Sequence, residues 1–264
     1  FLIHIKSINM KNYLVILYFL IMMFSSCSNE QNNNGTYDTK EIKVFENHLN
    51  VITSSEIIED LNFIPLETVK KGLIGKVSKI VKSKNKYYIL DSKSAKKIFV
   101  FDLEGKFLYS IGRQGKGPGE YLRPNNFCIN ENKGYLIIID QFNKLIKTDL
   151  EGNFIMEKSL SKDCHYINEI ISYEGFLYAS TGRRSASKMK YQVVKFNDNL
   201  KAIERLLPYE NSLQFIYPYA NELYIEDNNL FFISVFDYTI YKLNQKNQFL
   251  PYFTLNFSGK EDNI

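Results

Sequence analysis

Short apolar runs separated by polar turns fill most of this 264-residue chain, and they recur with a fixed period. The first group covers 75–81, 87–90, 98–101 and 107–111. A second covers 126–129, 135–139, 145–148 and 154–158, a third 167–172, 176–179, 191–196 and 202–206, and a fourth 223–226, 230–235, 239–243 and 251–257. Each run is rich in Ile, Val, Tyr and Phe and is bounded by Gly, Asn, Asp or Lys, which predicts a strand. The runs Tyr87-Tyr88-Ile89-Leu90 and Leu136-Ile137-Ile138-Ile139 are apolar throughout, the pattern of a strand covered on both faces. After Gly35 no long segment carries a 3.6-residue apolar period, so helix is expected to be scarce.

The turn inside each group sets the period. Leu103-Glu104-Gly105 returns as Leu150-Glu151-Gly152, each preceded by an aspartate and followed by one polar residue and Phe. Asp102, Asp149, Asn197 and Asn244 follow one another at intervals of 47, 48 and 47 residues. A period in the forties made of four short strands is the size of a propeller blade. The predicted fold is all-β, a propeller of four-stranded blades with about four blades over 61–264. Segment 61–68 stands ahead of the first blade as a lone strand. It is expected to close the ring on the last blade, with Pro65 on the free edge where no ladder N–H is needed.

The first 27 residues read differently. Met10 and Lys11 precede an apolar run over 13–24, then Ser25, Ser26 and Cys27. That run is short for a bilayer span and has the order of a secretory signal. Its Ser-Ser-Cys end resembles the lipobox of bacterial lipoproteins, with Phe24 in place of the usual Leu. Two readings stand: lipidation at Cys27, or a signal anchor with an incidental thiol. Residues 28–35, Ser-Asn-Glu-Gln-Asn-Asn-Asn-Gly, form a polar tether that leads into an N-terminal segment reaching residue 60. An outer-membrane lipoprotein at the cell envelope, facing the periplasm or the outside, is the expected address.

Composition sharpens this picture only in places. The chain has 20 Phe and 19 Tyr but no Trp, a bias toward pleated, half-buried surfaces. Lys6 and Lys11 are the only Lys or Arg before Cys27, so the remainder is nearly neutral, which gives no support to nucleic-acid binding. Cys128 and Cys164 could pair in an exported protein or stay free.

Ile64-Pro65-Leu66-Glu67-Thr68, Leu73-Ile74-Gly75, Ile98-Phe99-Val100-Phe101-Asp102 and Gly115-Lys116-Gly117-Pro118-Gly119-Glu120-Tyr121 carry a family likeness. Through them the chain resembles the six-bladed β-propeller lipoproteins of Gram-negative bacteria, relatives of the NHL-repeat propellers. The resemblance implies a surface or periplasmic protein without an assigned reaction. Against six blades the sequence offers four, so a fragment of a six-bladed ring is expected, with a true four-bladed ring as the alternative.

Strands in a blade alternate direction outward from the axis. Second-to-third loops and blade-to-blade loops must therefore share one rim, which predicts a functional face from 91–96, 112–123, 140–144, 180–190 and 236–238. Within it, Asp91, Arg113, Lys116, Glu120, Arg123, Asp140, Arg183 and Arg184 are the candidate ligand-binding residues. Their cationic balance favours an anionic small molecule, with a glycan or an envelope protein as other partners. The glycine-rich stretch 112–119 lacks the Lys-Ser or Lys-Thr and the following helix of a phosphate loop, and reads as a tight crossover between blades. Asp91 and Asp140 end apolar strands at equivalent positions, as metal ligands near the axis or as Asx-turn residues. Ser180 and Ser234 replace them in the later blades. The sequence shows no cofactor motif, no His-rich metal centre and no Gly-x-Ser-x-Gly elbow. The expected role is a binding or interaction module, with a lyase- or hydrolase-type propeller enzyme as the alternative.

Overall fold

The computed structural model describes residues 39–45, 53, 58–141, 144–160, 167–181, 190–209, 222–234 and 238–259. Among these no helix occurs. After β1 (Lys40–Phe45), the strands assemble into four blades in chain order. Blade one is β2 (Lys79–Ser83), β3 (Lys86–Asp91), β4 (Lys97–Asp102) and β5 (Phe107–Ile111). The crossover to the next blade holds a two-residue parallel pair, β6 (Arg113–Gln114) and β7 (Glu120–Tyr121). Blade two is β8 (Pro124–Asn130), β9 (Tyr135–Asp140), β10 (Lys144–Asp149) and β11 (Phe154–Ser159). Blade three is β12 (Glu169–Tyr173), β13 (Phe176–Ser180), β14 (Tyr191–Phe196) and β15 (Ala202–Pro208). Blade four is β16 (Leu223–Glu226), β17 (Asn229–Ser234), β18 (Thr239–Leu243) and β19 (Phe249–Gly259). Within each blade the strands pair antiparallel in sequence order, and the inner strands pack β2 on β8, β8 on β12 and β12 on β16.

The core lies between the blades. Tyr88, Leu90, Ile98 and Val100 of blade one meet Phe127, Leu136, Ile138 and Ile146 of blade two. The opposite faces of the same blade-two strands, through Tyr135, Ile137, Ile139 and Leu145, meet Ile170, Leu177, Ala179 and Val194 of blade three. Middle strands are therefore covered on both sides, which is why β9 is apolar at every position before Asp140 rather than alternating. Tyr178, Val193, Leu230 and Phe232 begin the third interface.

Segment 61–68 does not form the closing strand. Proline removes a ladder donor at its centre, and the segment lies instead against the β4–β5 turn. There Glu67 N–H donates to the Gly105 carbonyl at 2.8 Å, and the Phe107 N–H donates to the Glu67 carboxylate at 2.9 Å. The strand added to blade four is β1, which pairs with β19 in parallel as a fifth, outermost strand.

The periodic turns share one construction. The carboxylate of Asp102 accepts N–H bonds from Glu104 and Lys106, and that of Asp149 accepts them from Glu151 and Asn153. The amide oxygen of Asn197 does the same for Asn199 and Lys201. Gly105 (φ 83°) and Gly152 (φ 95°) take the left-handed position that closes the turn, and Leu200 (φ 55°) and Asn247 (φ 62°) take it in the later blades.

The turns of blades two, three and four also reach the blade before them. Tyr109 donates to the Leu150 carbonyl at 3.0 Å, Tyr135 to the Asp198 carboxylate at 2.8 Å, and Tyr178 to the Asn247 amide oxygen at 3.0 Å.

Candidate functional site

Two layers make up the rim at which the crossovers enter the blades: the loops that sequence reasoning singled out, and the first residues of the inner strands.

In the loops, Asp91 is fully buried at the end of β3. Its Oδ2 accepts the N–H groups of Gly75 and Lys76 at 2.8 and 3.0 Å, and its Oδ1 accepts those of Lys93 and Ser94 at 3.1 and 2.7 Å. Burial pushes this carboxyl up, but the backbone N–H groups around it outweigh burial and hold it below its usual value. Asp140, equally sheltered at the end of β9, accepts from Leu122 at 3.3 Å and Arg123 at 2.9 Å. Both aspartates thus pin the chain entering the inner strand of their own blade. They act as backbone acceptors and do not converge, and among the described residues no three His, Cys, Asp or Glu side chains gather as a metal site.

The crossover 112–121 is held together from within. Arg113 reaches Glu120 Oε1 through Nε at 2.7 Å and Nη2 at 2.6 Å, while Glu120 Oε2 accepts the Gly117 N–H at 2.9 Å. The Gly117 N–H first and Arg113 second hold the Glu120 carboxyl below its usual value. A Cβ at Gly115 would stand 2.0 Å from that carboxylate, so a larger residue there would push the Glu120 side chain out of its present position. Tyr121 is fully buried behind Gly112 (φ 84°) and donates to the Lys96 carbonyl at 2.9 Å. Gly119 N–H and Lys144 Nζ share Glu157 Oε2 at 2.9 and 3.1 Å, tying the loop to blade two. The tight-crossover reading of this loop is the one its geometry matches. Lys116 and Arg113 point to solvent, and Arg123 is half-buried, with Nε 3.4 Å from the Ser92 carbonyl and Nη1 3.3 Å from Gln141 Oε1. Arg183, Arg184, Cys164 and Cys27 lie outside the described residues. Cys128 is a free thiol in the blade two–three core, pushed up to about 12 by burial.

The inner strands hold what loop reasoning missed. Lys79 at the start of β2 donates from Nζ to Asn126 Oδ1 of β8 at 2.8 Å and stands 3.7 Å from Glu169 Oε1 of β12. Asn126 Nδ2 donates to the Asn168 carbonyl at 3.2 Å, and Glu169 Oε2 accepts the Leu223 N–H of β16 at 3.1 Å. A polar chain therefore crosses all four inner strands. At its end, burial raises the Glu222 carboxyl above its usual value, while Ser180 and Asn168 nearby ease the shift and Glu169 adds to it. Glu222 Oε2 and Ser180 Oγ are both buried and, among the described residues, neither has a partner at full hydrogen-bonding geometry, although Ser180 lies close enough to ease the Glu222 shift. Together these groups offer an ammonium, an amide, a hydroxyl and two carboxyls in unlike environments. One signal was present in the sequence: polar residues opening strands that are otherwise apolar, with Lys79 and Asn126 one repeat apart.

Such a rim on a bladed scaffold defines a β-propeller with an axial polar site. Over residues 38–263 the chain matches the family described as a domain of unknown function, DUF4934, and it belongs to that family. No curated protein matches it. Among solved structures it is similar to a "putative exported protein" from Bacteroides fragilis NCTC 9343, at 26% identity and a TM-score of 0.66, over 83% of this chain and 61% of that one. A looser likeness, 13% identity and a TM-score of 0.49 over 72% of this chain and 58% of the other, is to virginiamycin B lyase from Staphylococcus aureus. The chain thus spans about three fifths of the length of each solved protein.

Proposed function

We propose that this protein is an exported, lipid-anchored propeller of a six-bladed type that binds a hydroxyl-rich glycan at its axial mouth in the cell envelope. The observation that carries the proposal is the polar chain from Lys79 through Asn126 and Glu169 to Glu222, with Glu222 Oε2 and Ser180 Oγ lacking a well-formed hydrogen bond among the described residues at its end. Buried polar atoms without partners are costly, and sugar hydroxyls both donate and accept, so they suit such a surface. An anionic ligand is supported less well, because Arg113 is matched by Glu120, Lys79 by Glu169 and Lys144 by Glu157. Export is supported by the signal-like N-terminus and by the description of the Bacteroides fragilis relative.

Calorimetric titration of the full-length protein with chitohexaose, maltohexaose and oligogalacturonate tests the ligand class. Saturable binding of a neutral oligomer, weakened at least tenfold by Asn126→Ala and unchanged by Lys116→Ala, is the expected result. Binding of oligogalacturonate alone, lost in Lys116→Ala, would overturn it. The anchor is tested separately: Cys27→Ala should release the protein from membranes into the soluble fraction. A lyase- or hydrolase-type reading rests on Glu222, whose raised affinity for a proton suits a general acid. Turnover of a bound oligomer that disappears in Glu222→Gln would establish it.

A further inference from the structure

Three cations of the crossover rim already have a carboxylate: Arg113 meets Glu120, Lys79 meets Glu169 and Lys144 meets Glu157. Lys93 and Lys116 have none, but both are exposed and water meets their charge. Arg123 differs from either group. It is half-buried, and among the described residues no carboxylate lies within ion-pair distance of it. Neutral acceptors hold its guanidinium instead. Nε stands 3.4 Å from the Ser92 carbonyl of blade one and Nη1 stands 3.3 Å from Gln141 Oε1 of blade two, which leaves Nη2 without an acceptor.

The two side chains of this cluster are fixed from behind. The Arg123 N–H donates to Asp140 Oδ1 at 2.9 Å, and the Gln141 N–H donates to the Arg123 carbonyl at 2.9 Å. Because Gln141 Oε1 is taken up by Arg123, the free end of its amide is Nε2, a donor. Guanidinium and amide therefore offer donors side by side with no acceptor between them. The cluster adjoins the axial polar chain. Ser92, whose carbonyl Arg123 reaches, pairs its Oγ with that of Ser78 at 2.9 Å, and Ser78 precedes Lys79, whose Nζ meets Asn126 at 2.8 Å.

We infer that Arg123 and Gln141 form a subsite at the seam of blades one and two that takes the carboxylate of a uronic acid residue in a bound glycan. A donor-only cluster selects an oxyanion, and so does a half-buried charge that no carboxylate of the protein neutralises. Nη2, with the Gln141 amide beside it, can grip both oxygens of a planar carboxylate, a match that an ammonium would not give. Lys79 and Asn126 lie next to the subsite, so the acid group belongs to a ligand whose remaining body is neutral and rich in hydroxyls. The inference rests on the glycan reading above and adds one charged position to it.

Phenylglyoxal modification of arginines in the full-length protein, read by peptide mass spectrometry, tests it. Millimolar glucuronate should slow labelling of Arg123 at least tenfold and leave the exposed Arg113 unchanged, while glucose and acetate protect neither. In Gln141→Ala the protection given by glucuronate should fall at least threefold. Labelling of Arg123 that glucuronate does not slow would overturn the inference. Equal protection by glucose, which carries no acid, or by acetate, which carries no sugar, would overturn it as well. The result separates from the glycan reading: protection of Arg123 in a protein that binds no neutral oligomer would leave the uronate subsite standing and remove that reading. Neutral-oligomer binding without protection would do the reverse.

Discussion

The glycine-rich crossover and the inner-strand polar chain lie on one rim, yet they are built on opposite principles. In the crossover each prominent group is matched inside the loop or by blade two: Arg113 by Glu120, Gly117 N–H by the same carboxylate, and Gly119 N–H by Glu157. Among the described residues the polar chain ends on two buried atoms, Ser180 Oγ and Glu222 Oε2, that lack a well-formed hydrogen bond. A conspicuous motif can be fully engaged in holding blades together, while plain strand residues carry the unmet hydrogen-bonding capacity. For a repeat scaffold, the place to look for binding is where matching fails.

The contrast can be broken experimentally. If the crossover is structural, Tyr121→Ala should cost about 3–5 kcal/mol in denaturant unfolding, the range for removing a large buried ring. A loss under 1 kcal/mol, accompanied by lost ligand binding, would assign the loop to function instead. Asp91→Ala should cost about 2–3 kcal/mol, since four backbone donors lose a charged acceptor. Because the folded-state pKa of Asp91 is depressed, its contribution is complete above the unfolded value near ~4 and is lost as pH falls through the folded value. The gap between wild type and Asp91→Asn should therefore close in acid urea melts.

Glu222 should show the reverse sign. Its folded-state pKa is raised, so the wild type loses stability as pH climbs from the unfolded value near ~4.3 through the folded one. Glu222→Gln should gain on the wild type between pH 4 and pH 7, read as a shift in thermal midpoint. Parallel curves would mean the carboxyl is not held protonated. The smallest effect belongs to Arg113→Ala: an 83% exposed side chain in a surface ion pair should cost less than about 1 kcal/mol.

What the sequence made legible follows the range of the interactions. The runs 87–90 and 136–139 and the turns at Asp102 and Asp149 depend on neighbours a few residues away, and they appear where the pattern places them. The closing strand did not. Segment 61–68 has strand composition, but Pro65 and the approach of its carbonyl to Gly105 commit it to packing on a turn. Lys40–Phe45, with charge at Lys40, Glu41 and Lys43, looks like tether and pairs with a partner some 200 residues away. Asp91 and Asp140 were visible as equivalent positions, and the bonds from Lys93 and Ser94 to Asp91 are the local turn that Asx residues form, while the partners 15 to 18 residues distant were not visible. Lys79, Asn126 and Glu169 belong to three different blades, and no local rule joins them.

The catching of a turn by the preceding blade has a kinetic consequence. Contacts run only between neighbours, so stability is a sum of local links and not a property of one shared core. As the chain folds, each new blade leaves an aromatic, amine-bearing surface uncovered until the next one arrives. Folding can therefore nucleate at any blade and propagate to its neighbours, and the most vulnerable moment is a pause between blades, when sticky surface is open to other molecules. Lys147 over Tyr135 and Lys195 over Tyr178 keep that waiting surface charged during the interval and bond the next blade's turn once it arrives.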